Sequence, residues 1–276
     1  MTMADPIFVL GVPRSGTTLL RMMLDSHPAI MCGPEAPWVA GRASAPVPSL
    51  RAVVDLMARE KWGAVRGLTG VEEDDVAAAA AGFVDRVMGA AVRAHGKARW
   101  ADKTPENVIA VPFLARLFPG GRYVHLVRDG RDVALSTAAA DWRRIPTLDG
   151  RVRNGYLNAL RRWRDWNAAC RDDAVEAGIP YLLVRYEDLV RDPGTEMRRV
   201  LEFVGEPWSD AVLSPHEQRH DVVDPGGEGV KSFFDREGVD RRAIHRWKRD
   251  LGPIARILTR RVAEDALLGW GYEPTR

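Results

Sequence analysis

Short apolar runs alternate with longer stretches of helical periodicity along much of the chain. Residues 7–12 are almost continuously apolar, as expected of a strand buried in a parallel sheet. Residues 122–127 and 181–185 have the same character, and residues 98–102 form a further short extended piece. Segments with helical spacing separate these runs. Because strands alternate with helices, we predict an α/β fold of three layers, in which helices flank a central and mostly parallel sheet.

The residues that flank the helical segments set their expected limits. A first helix begins at Thr17, after Gly16, and ends before Pro28, since the residue preceding a proline is disfavoured in a helix. Another opens on the acidic residues 72–75, which suit a helix N-terminus, and stops at Gly96. Further helices are predicted over 50–60, 105–118, 131–140, 152–177, 194–204, 240–250 and 253–268, and residues 205–240 are predicted to be irregular.

Length and composition fit one ordinary globular domain. The chain has 276 residues, 46% hydrophobic and 28% charged, so we predict a single domain over 1–276 with a helical insertion at about 36–98. The net charge of +2 provides no general basic field for nucleic acid. No apolar stretch approaches the roughly 18 residues of a membrane span. Two cysteines without metal-ligand spacing and a start without the basic flank of a signal peptide favour a cytoplasmic protein.

A glycine-containing loop after the first strand predicts an anion site. Gly11 and Gly16 have the spacing of the phosphate loop G-x-x-x-x-G-K-[ST], and Thr18 stands where a hydroxyl would hold magnesium. Thr17 stands in place of the lysine, which speaks against a magnesium-dependent NTPase. Arg14 offers instead a planar donor for two oxygens of one anion. The alternative is a plain strand–turn–helix whose glycines serve only the bend.

A second anion site is expected one strand further along. In a parallel sheet, ligands bind beyond the carboxyl ends of the strands. Arg128 follows the predicted strand 122–127, and Ser136 lies eight residues later, about two helical turns along. Together they could hold an anion separate from that of the first loop, which indicates a ligand phosphorylated at two places. The alternative for Arg128 is an ion pair with Asp129 or Asp132.

Residues 12–20, Val-Pro-Arg-Ser-Gly-Thr-Thr-Leu-Leu, and residues 126–136, Leu-Val-Arg-Asp-Gly-Arg-Asp-Val-Ala-Leu-Ser, resemble the paired signatures of the PAPS-dependent sulfotransferases. PAPS is 3′-phosphoadenosine 5′-phosphosulfate, and PAP is its product. The resemblance implies that Arg128 and Ser136 bind the 3′-phosphate and that Tyr186 lies against the adenine. It also implies a 5′-phosphosulfate site formed by Arg14, Ser15, Gly16, Thr17 and Thr18.

Within that family, residues 11–35 resemble the protein-tyrosine sulfotransferases and related bacterial enzymes without a gap. This closer resemblance implies Glu35 as the catalytic base and Lys103 as the catalytic lysine. Pro105 stands where the small-molecule enzymes carry a histidine base. Ala140 stands where the tyrosine-sulfating enzymes carry a further arginine, so a peptidyl tyrosine acceptor is not implied.

The expected reaction is transfer of the sulfuryl group of PAPS to a hydroxyl by in-line displacement. Glu35 would take the hydroxyl proton, while Lys103 and Arg14 would stabilise the charge that develops, without a metal. The alternatives are a solvated loop carboxylate for Glu35 and an ion pair with Asp102 or Glu106 for Lys103. A P-loop kinase or NTPase and a non-catalytic nucleotide-binding protein are the alternative functions. Small-molecule and peptide acceptors, and the formation of a homodimer, stay open at this level.

Overall fold

A parallel five-stranded sheet forms the centre of the computed structural model, which describes residues 4–41, 49–57, 67–139, 155–217, 220, 234–235, 238–239 and 241–276. The strands are β1 (Ile7–Leu10), β2 (Ile30–Cys32), β3 (Arg99–Asp102), β4 (Arg122–Val127) and β5 (Tyr181–Arg185). Their order across the sheet is β2-β3-β1-β4-β5, and all four pairings are parallel.

Helices connect the strands and follow the last of them. They are α1 (Thr17–Asp25), α2 (Pro37–Ala40), α3 (Leu50–Met57), α4 (Glu73–Ala94), α5 (Val111–Leu117), α6 (Gly130–Ala139), α7 (Gly155–Glu176), α8 (Tyr186–Arg191), α9 (Pro193–Val204), α10 (Trp247–Asp250) and α11 (Pro253–Gly269). Short 3₁₀ turns occupy Pro105–Ile109, Asp210–Leu213, Pro215–Glu217 and Arg241–Ala243. The short strands β6 (Phe234–Asp235) and β7 (Gly238–Val239) form a separate antiparallel pair.

The alternation of side chains along β1 separates two apolar layers. Phe8 and Leu10 pack on one face with residues of α4 to α7 and α11. Ile7 and Val9 pack on the opposite face with residues of α1, α8 and α9. Both faces of a parallel sheet must be covered, which explains why β1 is apolar at every position. The expected α/β fold with three layers is confirmed.

The helix predicted over 105–118 is in fact two elements. A 3₁₀ turn ends at Ile109, and α5 begins at Val111 after Ala110 leaves helical geometry at φ −125° and ψ 15°. Pro112 explains the break, because it lacks an N–H and its ring clashes with the carbonyl of residue 108 in a continuous helix. It is tolerated in the first turn of a new helix instead.

Other elements were missed or misjudged. β2 was not predicted, since its three apolar residues are too few to show a period. The prediction of an irregular stretch over 205–240 is wrong for its 3₁₀ turns and for the β6–β7 pair. The helix expected over 240–250 is reduced to a 3₁₀ turn and α10. Residues 58–60, 152–154 and 240 of three predicted helices, Ala140, and residues 218–219, 221–233 and 236–237 of the stretch predicted to be irregular lie outside the described residues.

Three further properties concern the described residues alone. No helix among them is long and apolar enough to cross a membrane, and no cluster of three or more His, Cys, Asp or Glu side chains among them could hold a metal ion. Cys32 and Cys170 are both free and buried. Burial raises the pKa of the Cys32 thiol to about 12.

Candidate active site

The carboxyl ends of all five strands of the sheet carry residues of the predicted site. Glu35 follows β2, Lys103 follows β3, the loop of residues 11–16 follows β1, Arg128 follows β4 and Tyr186 follows β5. Because the strand order is β2-β3-β1-β4-β5, these residues form one row. Glu35 and Lys103 lie at one end of the row, the loop with Arg14 lies in the middle, and Arg128 and Tyr186 lie at the other end.

The loop after β1 has a backbone that turns sharply into α1. Gly11, Arg14 and Gly16 have positive φ angles of 156°, 74° and 92°. A left-handed conformation at a non-glycine residue such as Arg14 is uncommon and costs energy. Thr17 and Thr18 are the first two residues of α1. The amide N–H groups of a first helical turn have no partner within the helix, so they are available to an anion at the loop.

Tyr186 packs between the loop and Arg128. A Cβ atom on Gly16 would lie 2.3 Å from the Tyr186 ring, and the Arg128 guanidinium carbon lies 4.5 Å from the centre of that ring. Arg128 also donates hydrogen bonds to the Arg14 carbonyl at 3.2 Å and the Ala243 carbonyl at 2.7 Å. The loop, the end of β4 and the start of α8 therefore form one packed unit.

The alternative role for Arg128, an ion pair with a neighbouring aspartate, is absent from the part of the chain that the structure describes. Both carboxylate oxygens of Asp129 accept from Arg131, at 2.9 and 2.7 Å. Asp132 accepts from the Trp247 amide at 2.7 Å. Burial raises the pKa of Asp132 to about 6, opposed by the charge of Arg128.

The two predicted anion sites are in direct contact. Arg14 Nε donates to Ser136 Oγ at 3.1 Å, which joins a residue expected at the 5′ group to one expected at the 3′-phosphate. Ser15 Oγ and Arg128 Nε are buried and have no hydrogen-bond partner among the described residues. Buried polar atoms nearly always have partners, so these two suit a ligand with more than one anionic group.

Glu35 and Lys103 form the tightest contact of the predicted catalytic residues. Lys103 Nζ donates to Glu35 Oε1 at 2.6 Å, with 7% of the lysine side chain and 34% of the glutamate side chain exposed. Lys103 makes no ion pair with Asp102 within the described ranges, because the oxygens of Asp102 accept from Thr104 and Asn107. The pair places a carboxylate and an ammonium beside the loop that follows β1.

Residues that were not predicted from the sequence hold the backbone at Arg128 and Asp129 in place. Glu187 Oε1 accepts from the Asp129 amide at 2.9 Å, and Glu187 Oε2 accepts from the Tyr272 hydroxyl at 3.2 Å. Trp163 Nε1 donates to the Arg128 carbonyl at 2.8 Å. Burial raises the pKa of Glu187. Glu187 adjoins a residue already singled out, whereas Tyr272 and Trp163 give no local signal because their partners are distant in sequence.

The sequence model of the sulfotransferase family matches residues 6–210 of the chain. These residues include every predicted site residue, from the loop after β1 to Tyr186. The chain belongs to the sulfotransferase family. Its membership confirms the expected enzyme class, the PAPS-dependent sulfotransferases.

Two curated relatives are protein-tyrosine sulfotransferases. Protein-tyrosine sulfotransferase 1 of Danio rerio is 30% identical, over 97% of this chain and 72% of the relative. Protein-tyrosine sulfotransferase 2 of Gallus gallus is 33% identical, over 97% of this chain and 69% of the relative. The resemblance to this branch of the family is thereby confirmed.

Solved structures share the fold. A sulfotransferase domain from the curacin biosynthetic pathway superposes with a TM-score of 0.66 at 20% identity, covering 99% of both chains. The mouse sulfotransferase SULT7A1 in complex with PAP gives a TM-score of 0.51 at 14% identity, covering 97% of this chain and 87% of the other. At these identities the likeness concerns the fold alone.

Proposed function

We propose that the sulfotransferase moves the sulfuryl group of PAPS to an acceptor hydroxyl by in-line displacement, with Glu35 as the general base. The observation that carries this proposal is the Glu35–Lys103 pair, 2.6 Å apart at the carboxyl ends of neighbouring strands. A carboxylate and an ammonium side by side can do two things in this reaction. The carboxylate can accept the proton of the acceptor hydroxyl, and the ammonium can stabilise the negative charge that develops on the leaving group.

The residues around the loop suit both ends of the donor. Ser15 and Gly16, with the first amides of α1, would bind the 5′-phosphosulfate, and Arg128 with Ser136 would bind the 3′-phosphate. The buried, unpartnered Ser15 Oγ and Arg128 Nε support this arrangement. Tyr186 would lie against the adenine. When bound, PAPS supplies the activated sulfuryl group. The remaining members of the proposed donor site are Arg14, Thr17 and Thr18.

In the proposed step, Glu35 accepts the proton of the acceptor hydroxyl while the oxygen of that hydroxyl forms a bond to sulfur. The bond between sulfur and the bridging phosphate oxygen breaks, and its electron pair stays on PAP. Lys103 and Arg14 would stabilise the charge on that oxygen by fixed hydrogen bonds. The proton on Glu35 returns to solvent after the sulfated product leaves. No step of the proposal requires a metal ion.

For the acceptor we propose a small-molecule or peptide hydroxyl. Protein-tyrosine sulfotransferases are among the relatives, but Ala140 replaces the arginine that the resemblance associates with tyrosine sulfation. The helices α2, α3 and α4 follow Glu35 in the chain, and we propose that they form a helical insertion at about 36–98 on the acceptor side of a single domain. We also propose that the enzyme is cytoplasmic.

Thermal unfolding with PAP, and separately with magnesium ATP, tests the donor site. PAP at about 100 times its dissociation constant raises the free energy of unfolding by roughly 2.7 kcal/mol, which corresponds to an increase in Tm of very roughly 5–10 °C. Arg128→Ala should lose most of the PAP shift and little of the shift with adenosine 5′-phosphosulfate, which lacks the 3′-phosphate. Arg116→Ala is a matched control, because Arg116 lies near the end of α5, which leads into the amino end of β4, whereas Arg128 follows the carboxyl end of that strand.

Transfer itself is tested with ³⁵S-labelled PAPS and a panel of acceptors: 2-naphthol, an alkyl alcohol, a sugar and an acidic tyrosine peptide. Labelled product with any of them supports the proposal. A Tm shift with magnesium ATP alone would favour the kinase alternative. PAP binding without transfer to any acceptor would favour a non-catalytic nucleotide-binding protein.

A further inference from the structure

Glu35 and Lys103 reach each other from strands with connections of different length. Lys103 directly follows β3, whereas Glu35 lies three residues beyond the end of β2. The strands themselves are neighbours, with Cys32 opposite Ala101. Residues 33–35 have no regular secondary structure, so the sheet alone does not fix the position of the Glu35 carboxylate.

The hydroxyl of Thr104 joins these two connections. It accepts a hydrogen bond from the Ala36 amide at 2.7 Å and donates its proton to Asp102 Oδ1 at 2.9 Å. Thr104 is fully buried. A hydroxyl has a single proton, so donation to Asp102 leaves its lone pairs for Ala36. The backbone next to Glu35 is thereby tied to the residues on both sides of Lys103.

Asp102 is anchored on its other side as well. Its Oδ2 accepts from Asn107 Nδ2 at 2.6 Å, and the residue is only 2% exposed. Burial raises the pKa of Asp102, and the hydrogen bonds from Asn107 and Thr104 oppose that rise. Both oxygens of this buried carboxylate therefore hold neighbouring segments of the chain in place rather than facing a ligand.

We propose that Asp102 and Thr104 are positioning residues of the sulfuryl-transfer site, which hold Glu35 against Lys103 and at the acceptor hydroxyl. The inference rests on the proposed role of Glu35 as general base. A base acts only within hydrogen-bond reach of the proton that it takes. Misplacing a reacting group by about 1 Å can cost roughly 100-fold in rate.

Two variants of Thr104 separate the hydroxyl from the shape of the side chain. Thr104→Val preserves the shape but removes the link to Ala36 and Asp102, whereas Thr104→Ser retains the hydroxyl. With ³⁵S-labelled PAPS and 2-naphthol as the acceptor, we expect Thr104→Val to lower kcat about 10- to 100-fold, with KM for PAPS within about twofold of that of the wild type, as uniform donor binding is untouched. Thr104→Ser should restore most of kcat. Equal losses in both variants, or an unchanged kcat in Thr104→Val, would overturn the proposal.

A double-mutant cycle with Glu35→Gln identifies the group through which Thr104 acts. If Thr104 acts by placing Glu35, adding Thr104→Val to Glu35→Gln should cause less than about a twofold further loss. A full additive loss would contradict the positioning role. Thr104→Ala replaces the valine variant if that variant does not fold.

Crystal structures of both Thr104 variants provide a readout that does not depend on turnover. We expect the contact between Glu35 Oε1 and Lys103 Nζ to persist in Thr104→Ser and to be lost in Thr104→Val. A contact unchanged in Thr104→Val would refute the positioning role even if transfer were confirmed. If wild-type protein transferred no sulfuryl group, the proposed function would fail, while this comparison would still decide what Thr104 does.

Discussion

Glu35 and Lys103 differ in their exposure, and the difference suits their proposed roles. The lysine side chain is almost buried, whereas about a third of the glutamate side chain is exposed. An ammonium held away from water interacts strongly with negative charge that develops beside it, because fixed donors act more strongly in a less polar environment. The partly exposed carboxylate can meet an acceptor that arrives from solvent and can release its proton there.

Glu35→Gln tests the role of the carboxylate with little change in shape. Glutamine cannot accept the hydroxyl proton, so we expect kcat to fall about 10²- to 10⁴-fold. PAP affinity should stay within about twofold of the wild-type value, because the nucleotide end of the row is separate. Single-turnover transfer of ³⁵S and the PAP-induced Tm shift measure the two effects. Loss of folding together with PAP binding would instead make Glu35 a structural residue.

At the residue scale, the sequence could supply the identities of the candidate side chains but few of their contacts. The contact between Arg14 and Ser136 joins residues 122 positions apart, and no local pattern indicates it. Asp102 was considered only as a partner for Lys103, and its proposed positioning role depends on a hydrogen bond from the Thr104 hydroxyl that only the fold reveals. Roles that depend on a motif could therefore be proposed from sequence, whereas roles that depend on the surrounding fold could not.

At the scale of elements, the turn from β1 into α1 depends on glycine for two separate reasons. Gly16 has a φ of 92°, which strains any other residue. It also lies so close to the Tyr186 ring that a methyl group would overlap it. Gly96 has a comparable φ of 65° but open space around it. Substitutions at the two glycines can therefore distinguish the effect of backbone strain from that of close packing.

Gly16→Ala should consequently do more damage than Gly96→Ala. Strain alone costs roughly 1–2 kcal/mol at a left-handed position, and we expect that loss for Gly96→Ala with unchanged PAP affinity. Gly16→Ala should lose about 1–3 kcal/mol more by overpacking and weaken PAP binding at least tenfold, since the Tyr186 ring must move away from Gly16 and its packing against Arg128 is disturbed. Urea unfolding and titration calorimetry with PAP measure both. Equal effects of the two substitutions on PAP affinity would show that the contact with Tyr186 is unimportant for binding.

Sequence periodicity identified most elements because their apolar faces are long enough to show it. The 22 residues of α4 and the 22 residues of α7 span several turns each, whereas the three residues of β2 do not span even two strand repeats. α8 begins directly where β5 ends, with no turn residue between Arg185 and Tyr186. Elements without a period or a flanking breaker therefore need the folded sheet to define them.

At the scale of the whole molecule, the C-terminal segment contacts the part of the site that is proposed to bind the nucleotide. Tyr272 donates to Glu187, and the Thr275 hydroxyl accepts from Arg131 at 3.1 Å. The Arg131 guanidinium carbon also lies 3.6 Å from the centre of the Trp247 ring. Several buried ionisable groups thus hold the end of the chain against β4 and α6, so the stability of this region depends on their protonation.

Two buried groups on β4 and α6 should make the free energy of unfolding depend on pH in opposite directions. Burial lowers the pKa of His125 from 6.5 to about 4. The unfolded chain then binds a proton that the folded chain does not, so stability from His125 falls as pH drops from 6.5 towards 4. Burial raises the pKa of Asp132 from 3.8 to about 6. Here the folded chain binds the extra proton, so stability from Asp132 falls as pH rises from 3.8 to 6.

Asp132→Asn removes the contribution of Asp132 to the pH dependence of the free energy of unfolding, so that the contribution of His125 remains. The free energy of unfolding of this variant relative to that of the wild type should increase from pH 4 to pH 7, by up to about 3 kcal/mol. A constant offset is expected as well, because the amide nitrogen of asparagine would replace a buried oxygen of Asp132. Urea unfolding at half-unit pH intervals measures the relative change and removes that offset. For His125→Asn the trend should be opposite: the free energy of unfolding of this variant relative to that of the wild type should decrease as pH rises from 4 to 6.5. A pH-independent difference between Asp132→Asn and the wild type would mean that Asp132 is ionised in the folded protein throughout this range, with its charge compensated by Arg128.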